Sequence, residues 1–345
     1  MRRVGAVDCG TNSIRLLVAD LHAQADGTPA LHEITRQMQI VRLGEGLDAT
    51  GRISAPALAR TLAAAQEYAA LCRDAGCESV RFVATSASRD AQNADEFVDG
   101  VHQAFGDLDV RPEVVSGQEE AALSFAGATG ALRAGGAPGP YLVVDIGGGS
   151  TELVLIEPGA PVPRILDWQS VPWGVVSLTE MVGHDEEHDR DSRRARYRRM
   201  RELVADGMAE FAERIAPYRT ADLRLLGTSG TVTTLASVHL DLPQYDRRAV
   251  DGLVVPSSSM RAITQELAAL SPAERRQLPS IGNERSDLVV AGCAILEAIF
   301  DIWPAPRLGV ADRGIREGIL RSLMAADAEG HQARTALRKL NGGRQ

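Results

Sequence analysis

At 345 residues the chain is long enough for two domains with ordinary cores, given roughly 100–200 residues per domain. Its 37 Lys and Arg against 46 Asp and Glu leave a net charge of −9, so no general field draws it to nucleic acid or to an anionic membrane. With 4 % aromatic residues it offers no base-stacking platform, and a polyanionic ligand must be held locally, with a metal ion as the natural helper.

The chain opens on a short apolar strand that reaches Asp8, a polar turn (Cys9-Gly10-Thr11-Asn12-Ser13) and a second strand. A third strand is expected over about Leu31 to Leu43. Ser54 and Pro56 then start a helix that closes near Gly76. A strand (Val80 to Ala84), a helix (Asn93 to Phe105), a strand (Pro112 to Val115) and a helix from Ser116 follow. Three Gly and two Pro between Ala134 and Pro140 stop any helix or central strand, which sets the division at residues 1–136 and 137–325, with a loose tail at 326–345. The second half begins as the first does, with strands at 141–146, 151–157 and 163–171. A long helix over 191–216, a strand at Leu223 to Leu226 and helices up to about Leu323 complete it.

The two halves share a motif. Val7-Asp8-Cys9-Gly10-Thr11-Asn12-Ser13 aligns with Val144-Asp145-Ile146-Gly147-Gly148-Gly149-Ser150 at an offset of 137, and the match continues through Leu16 and Leu153. Alternating strands and helices with strands leading call for an α/β fold, a mixed sheet faced by helices in each half, with ligands at the loops that face the cleft between them.

Four cysteines, Cys9, Cys72, Cys77 and Cys293, make no CxxC pair and read as buried thiols of a reducing cytoplasm. Asp8 interrupts the N-terminus before a signal-peptide core, and no apolar run nears the ~18 residues of a membrane span. The expectation is a cytoplasmic protein with no membrane partner.

The chemistry concentrates in the loops. Gly147, Gly148 and Gly149 let the backbone close on an anion, and Ser150 and Thr151 add hydroxyl donors. Asp145 and Glu152 would repel a bare phosphate, a conflict that Mg²⁺ between them resolves. Asp8 repeats the carboxylate in the first half, and Gly10, Thr11, Asn12 and Ser13 the phosphate loop. Ser116 and Glu119 stand at capping-box spacing, so Glu119 is expected to reach back to the Ser116 N–H. Glu120, turned ~100° from it, has no such partner: facing the cleft it is a general base for water, and otherwise a solvated first-turn residue favoured by the helix dipole. Arg89 follows a strand and suits a clamp on a terminal phosphate, or a plain surface site. Thr228 and Ser229, in the turn after Leu226, are further phosphate donors unless they merely cap the next helix.

Two signals are set aside. His184 and His188 in His-Asp-Glu-Glu-His lack the Glu that zinc proteases carry after the first His. The arginines between Arg190 and Arg201 read as a solvated helix face, with guidance of a long polyanion as the alternative.

With these pieces together the chain resembles the Ppx/GppA family, the exopolyphosphatases and guanosine pentaphosphate phosphohydrolases of the actin-like ATPase superfamily. The resemblance spans about residues 3–323. It runs through Asp8 to Ser13, Arg42-Leu43-Gly44-Glu45-Gly46, Ala84-Thr85-Ser86 with Arg89, Ser116 to Ala121 and Asp145 to Glu152. It continues through Trp173-Gly174-Val175-Val176, Gly227 to Thr231, Glu284 to Asp287 and Asp312 to Gly318. It implies two ribonuclease H-like domains with the active site between them, in a short form without the helical extension of the family's longer members. Glu120 would be the general base, Arg89 the clamp, Gly147 to Ser150 the phosphate-binding backbone, and Asp145 and Glu152 metal-linked carboxylates. It also makes a homodimer the expectation. Ser177 stands where a basic residue is expected, and Ser286 where Ala is usual. The implied reaction is Mg²⁺-dependent release of terminal phosphate from polyphosphate, with pppGpp as the nearest alternative substrate. A sensor that binds without turnover and an actin-like kinase are rivals of other classes; the kinase would leave Glu120 without a water to activate.

Overall fold

The computed structural model describes residues 2–23, 29–133, 139–157, 164–183, 189–281 and 285–324. The Gly- and Pro-rich stretch read as a boundary lies mostly outside them, as do His184 to His188 and the 326–345 tail.

The first sheet contains β1 (Arg2–Cys9), β2 (Ser13–Ala23), β3 (Pro29–Ile40), β4 (Ser79–Ala84) and β5 (Glu113–Val114), in the order β3-β2-β1-β4-β5. The second contains β6 (Tyr141–Ile146), β7 (Thr151–Glu157), β8 (Arg164–Val171), β9 (Arg224–Thr228), β10 (Val254–Pro256) and β11 (Arg307–Ala311), in the order β10-β11-β9-β6-β7-β8. In each, three antiparallel strands are joined by parallel ones on the far side of the leading strand, and in the second sheet β10 adds an antiparallel edge on β11. The duplication seen at the loops therefore extends to sheet order. Two strands were not expected: Val254–Pro256 is only three residues long, and Arg307–Ala311 carries Gly309, so neither presents a run that stands out from helical surroundings. The pairing of β11 with β9 makes it a strand.

Both leading hairpins close alike: the Gly10 N–H donates to Ser13 O at 3.0 Å, and the Gly147 N–H to Ser150 O at 2.9 Å. The register sets Asp8 opposite Arg15, and Asp145 opposite Glu152.

The helices are exchanged between the sheets. Gly117–Arg133 follows the first sheet, yet Ala121, Phe125 and Ala128 pack on Val143, Val154 and Ile156 of the second. The last helix, 315–324, follows the second sheet and returns Ile315, Ile319 and Leu320 to Val4, Ala6 and Leu17 of the first. The two helices cross at glycines, where a Cβ on Gly127 would fall 1.8 Å from Gly314 O and one on Gly318 1.9 Å from Leu123 O. This exchange carries the Ser116 turn over the second sheet and so decides where Glu120 goes. The larger cores lie behind, with Phe82, Phe97 and Phe105 in the first half and Phe211 and Trp303 in the second. No helix among the described residues is long and apolar enough to cross a membrane.

Candidate active site

A cavity of about 590 Å³ lies between the two hairpin loops. Asp8 at the end of β1, Asp145 near the end of β6, Glu152 in β7 and Glu120 in the first turn of its helix all line it. Glu120 is 9 % exposed and Glu152 2 %, so the solvated first-turn reading of Glu120 does not hold.

Each carboxylate is held by a neighbour. Arg89 Nη1 donates to Glu120 Oε2 at 3.2 Å and to Val115 O at 2.9 Å. Ser124 Oγ, one helical turn beyond Glu120, donates to Asp145 Oδ2 at 2.6 Å. Ser150 Oγ and Ser170 Oγ both donate to Glu152 Oε1, at 2.7 and 2.9 Å. Glu119 takes a course other than the capping box: its N–H donates to Ser116 Oγ at 3.2 Å, but its carboxylate accepts from Arg81.

Burial and mutual repulsion raise the acids' proton affinity. Desolvation first, then the Glu152 charge, lift Glu120 well above the usual carboxylate range, and Arg89 opposes them. Glu152 is pushed up to about 7 by burial and then by Asp145, against its two serine hydrogen bonds. Asp8 is pushed up to about 6 by burial, against Arg15 and Arg316. Crowded acids with raised affinity in a cleft mark a candidate site for general-base chemistry or a cation.

The two loops meet. A Cβ on Gly148 would lie 2.9 Å from Thr11 Cβ and 3.0 Å from Asn12 N, and one on Gly149 2.6 Å from both Thr11 Oγ1 and Ser86 Oγ. Gly10, Thr11, Asn12, Ser13, Gly147, Gly148 and Ser150 line the cavity.

Several hydroxyls expected to meet phosphate are committed elsewhere. Thr151 has no exposed surface and donates to Trp173 O at 2.7 Å, because β7 turns that side chain toward the loop behind it. Ser150 Oγ is spent on Glu152, and the Gly147 N–H on closing its turn. Thr228 is the last residue of β9, not part of a turn, and its hydroxyl donates to Arg313 O at 3.1 Å. Ser229 Oγ donates to Ile146 O at 2.6 Å, neither hydroxyl capping the helix. Thr228 and Ser229 still line the cavity, but as struts between β6, β9 and the Arg313 loop.

Among the described residues no three His, Cys, Asp or Glu side chains converge as a ready metal cage, so Asp8, Asp145 and Glu152 do not form a closed ligand set. The donors still suit Mg²⁺, which is bound by one or two carboxylates and keeps several waters. Asn12 lines the same cleft, and its Oδ1, buried and without a hydrogen-bond partner, is a further oxygen acceptor.

A model of the Ppx/GppA phosphatase family matches residues 17–327. The chain belongs to this family. It is 37 % identical over 334 residues to Exopolyphosphatase 2 of Mycobacterium tuberculosis, covering 94 % of this chain and 99 % of that one. To the guanosine-5′-triphosphate,3′-diphosphate pyrophosphatase of Aeromonas hydrophila it is 29 % identical over 321 residues, covering 92 % of this chain and 59 % of that one. The crystal structure of the Aquifex aeolicus Ppx/GppA family member superposes with a TM-score of 0.74 at 28 % identity, covering 94 % and 98 %.

As a Ppx/GppA phosphatase the chain is a hydrolase with the two-domain, actin-like fold. One of its departures has a local explanation. Ser177 Oγ accepts from the Gly174 N–H at 2.9 Å and donates to Gly149 O at 2.9 Å, which fixes the glycine loop from behind. Ser286 is buried, and its main-chain carbonyl accepts from Arg275 Nε at 3.0 Å, a bond that Ala would make equally.

Sequence reasoning missed the basic wall of the cavity: Arg15, Arg36, Arg247, Arg285 and Arg316 all line it. For Arg15 a signal existed, because the 137-residue offset sets it on Glu152. None of the arginines from Arg190 to Arg201 lines the cavity; Arg196 bonds Gly183 O and Arg201 pairs with Glu297 and Asp301.

Proposed function

We propose that this chain is an exopolyphosphatase that removes the terminal phosphate of polyphosphate as orthophosphate and leaves a chain one unit shorter. The supporting observation is Glu120, a buried carboxylate of raised proton affinity that lines the cleft between two duplicated phosphate loops and touches a guanidinium. A water beside Glu120 gives its proton to the carboxylate while its oxygen bonds to the terminal phosphorus, and the bond from that phosphorus to the bridging oxygen breaks in line. Arg89 offsets the charge that spreads over the equatorial oxygens. The backbone of Gly147, Gly148 and Ser150 and the turn from Gly10 to Ser13, which line the cavity, cradle the phosphate, while Gly149 packs against Thr11 and Ser86.

Asp8, Asp145 and Glu152, with Asn12, are the residues that would hold Mg²⁺. When bound, the ion supplies neutralisation of the phosphoryl oxygens. Ser124, Ser150 and Ser170 keep the carboxylates aimed.

One observation favours pppGpp as a second substrate reading. The cavity is also lined by Pro243, Tyr245, Pro279, Ile281 and Leu288, apolar and aromatic surface of the kind that packs on a nucleobase and that a bare phosphate chain does not use. Phosphate release from short polyphosphate, long polyphosphate and pppGpp, measured in parallel with Mg²⁺, separates the readings. Preference for pppGpp that is lost in Tyr245→Ala moves the substrate to the alarmone. Tight binding without release from any of the three makes the chain a sensor.

A further inference from the structure

The Ala55–Asp74 helix ends in a closure with both of its diagnostic bonds. Gly76 has φ +70°, its N–H donates to Arg73 O at 2.9 Å, and the Cys77 N–H donates to Cys72 O at 2.9 Å. This geometry brings the side chains of its first and last residues into contact, normally two apolar groups. Here both are cysteines. Cys72 has no exposed surface and packs under β1, where a Cβ on Gly5 would lie 3.2 Å from its Sγ. Cys77 is only partly buried, which corrects the expectation that all four thiols are buried.

The neighbouring Cys72 side chain holds the Cys77 thiol below its ordinary value, against partial burial. Arg3 adds to the effect from the same cap, where its Nη1 donates to Ala75 O at 2.8 Å. Burial pushes the thiols of Cys9 and Cys293 up. One accessible thiol with thiolate character beside one shielded thiol is the arrangement of an attacking and a resolving cysteine.

We infer that Cys77 and Cys72 form a reversible dithiol–disulfide site whose oxidant is a hydroperoxide. The Cys77 thiolate attacks the peroxide oxygen, the O–O bond breaks, and a sulfenic acid forms with release of hydroxide. The Cys72 sulfur then displaces the hydroxyl from the Cys77 sulfur as water and closes the S–S bond. Two thiols and one hydrogen peroxide become one disulfide and two waters; a small thiol reverses it. The site lies behind β1, away from the phosphate cleft, and stands independently of the substrate assignment.

The sequence makes the test clean, because trypsin cuts at Arg73 between the two cysteines. The full chain, exposed to hydrogen peroxide at neutral pH and then alkylated, is expected to yield Thr61–Arg73 disulfide-linked to Asp74–Arg81, and to fall from four titratable thiols to two. Linkage should be at least about tenfold faster than in the urea-unfolded chain and reversed by dithiothreitol. Cys72→Ser should leave Cys77 as a sulfenic acid that dimedone traps; Cys77→Ser, at a partly buried position, should lose both linkage and trapping. Linkage no faster than in the unfolded chain, or sulfenic acid forming first at Cys9, Cys72 or Cys293, overturns the assignment.

Discussion

Arg89 Nη1 stands 3.2 Å from Glu120 Oε2, joining the phosphate clamp to the general base of the proposed reaction. The guanidinium lowers the proton affinity that burial and Glu152 raise, so its removal has two effects. Arg89→Ala should lower kcat/KM for polyphosphate by about 100-fold or more, as loss of a transition-state arginine does. It should also move the acid limb of the pH–rate profile to higher pH, since Glu120 then binds its proton more tightly. Loss of activity with an unmoved limb would mean that the pair is not coupled in solution.

The wild-type profile has a definite sign. A base works deprotonated, so activity should rise with pH along a limb that lies above the ordinary carboxylate range of about 4. Initial rates across buffers of constant ionic strength give it directly. A limb near 4 would argue that Glu120 is solvated in the working enzyme.

Stability should run the other way. Folded-state values of about 6 for Asp8 and about 7 for Glu152 exceed those of unfolded carboxylates. The native state therefore holds these protons more tightly. The stability that these groups contribute is fully present below the unfolded value and is lost as pH rises through 6 to 7, on the order of 3 kcal/mol for each. In thermal melts without ligand, Glu152→Gln should raise Tm at about pH 8 and leave it nearly unchanged at about pH 4. Mg²⁺ should raise Tm more at the higher pH, because it binds the ionised acids. A Mg²⁺ effect larger at low pH would contradict this assignment of the donors.

Ser124 touches no phosphate in this account and acts through Asp145, to which it donates at 2.6 Å. Ser124→Ala should raise the Mg²⁺ concentration needed for half-maximal activity by about tenfold, with saturating Mg²⁺ restoring most of kcat. A kcat loss that Mg²⁺ does not restore would assign Ser124 a more direct part.

Thr151 and Gly174 test how the glycine loop is supported. Thr151→Val removes a bond to Trp173 O from a fully buried hydroxyl and should cost about 1–3 kcal/mol of stability with little change in KM. Gly174→Ala would set a Cβ 2.3 Å from the Gly148 carbonyl carbon and oxygen, so it should displace the loop and abolish activity before it unfolds the protein. Denaturant melts beside kinetics separate the two; a large KM rise in Thr151→Val would restore its hydroxyl to the phosphate site.

What the sequence made legible was local. Asp8 and Asp145 end strands before tight turns, Ser54 caps a helix, and the helical phase that separates Glu120 from Glu119 is set within one turn. What stayed hidden depends on partners far along the chain. The hydroxyls of Thr151, Thr228 and Ser229 are claimed by carbonyls 22, 85 and 83 residues away. Glu119 finds Arg81 across the β4 edge instead of its own cap. The exchange of helices between the sheets, which brings Ser124 to Asp145 and Arg316 to the side of Asp8, follows from packing at Gly127 and Gly318 and leaves no short-range signature.

The central claim is that Glu120 activates the attacking water, and the measurement closest to it is single-turnover phosphate release by Glu120→Gln beside wild type, with substrate affinity measured on the same preparations. The single-turnover rate is expected to fall by about 10²–10⁴-fold while binding of polyphosphate or pppGpp holds within a few-fold. A variant that turns over within tenfold of wild type, or one that loses binding and rate together, would contradict it.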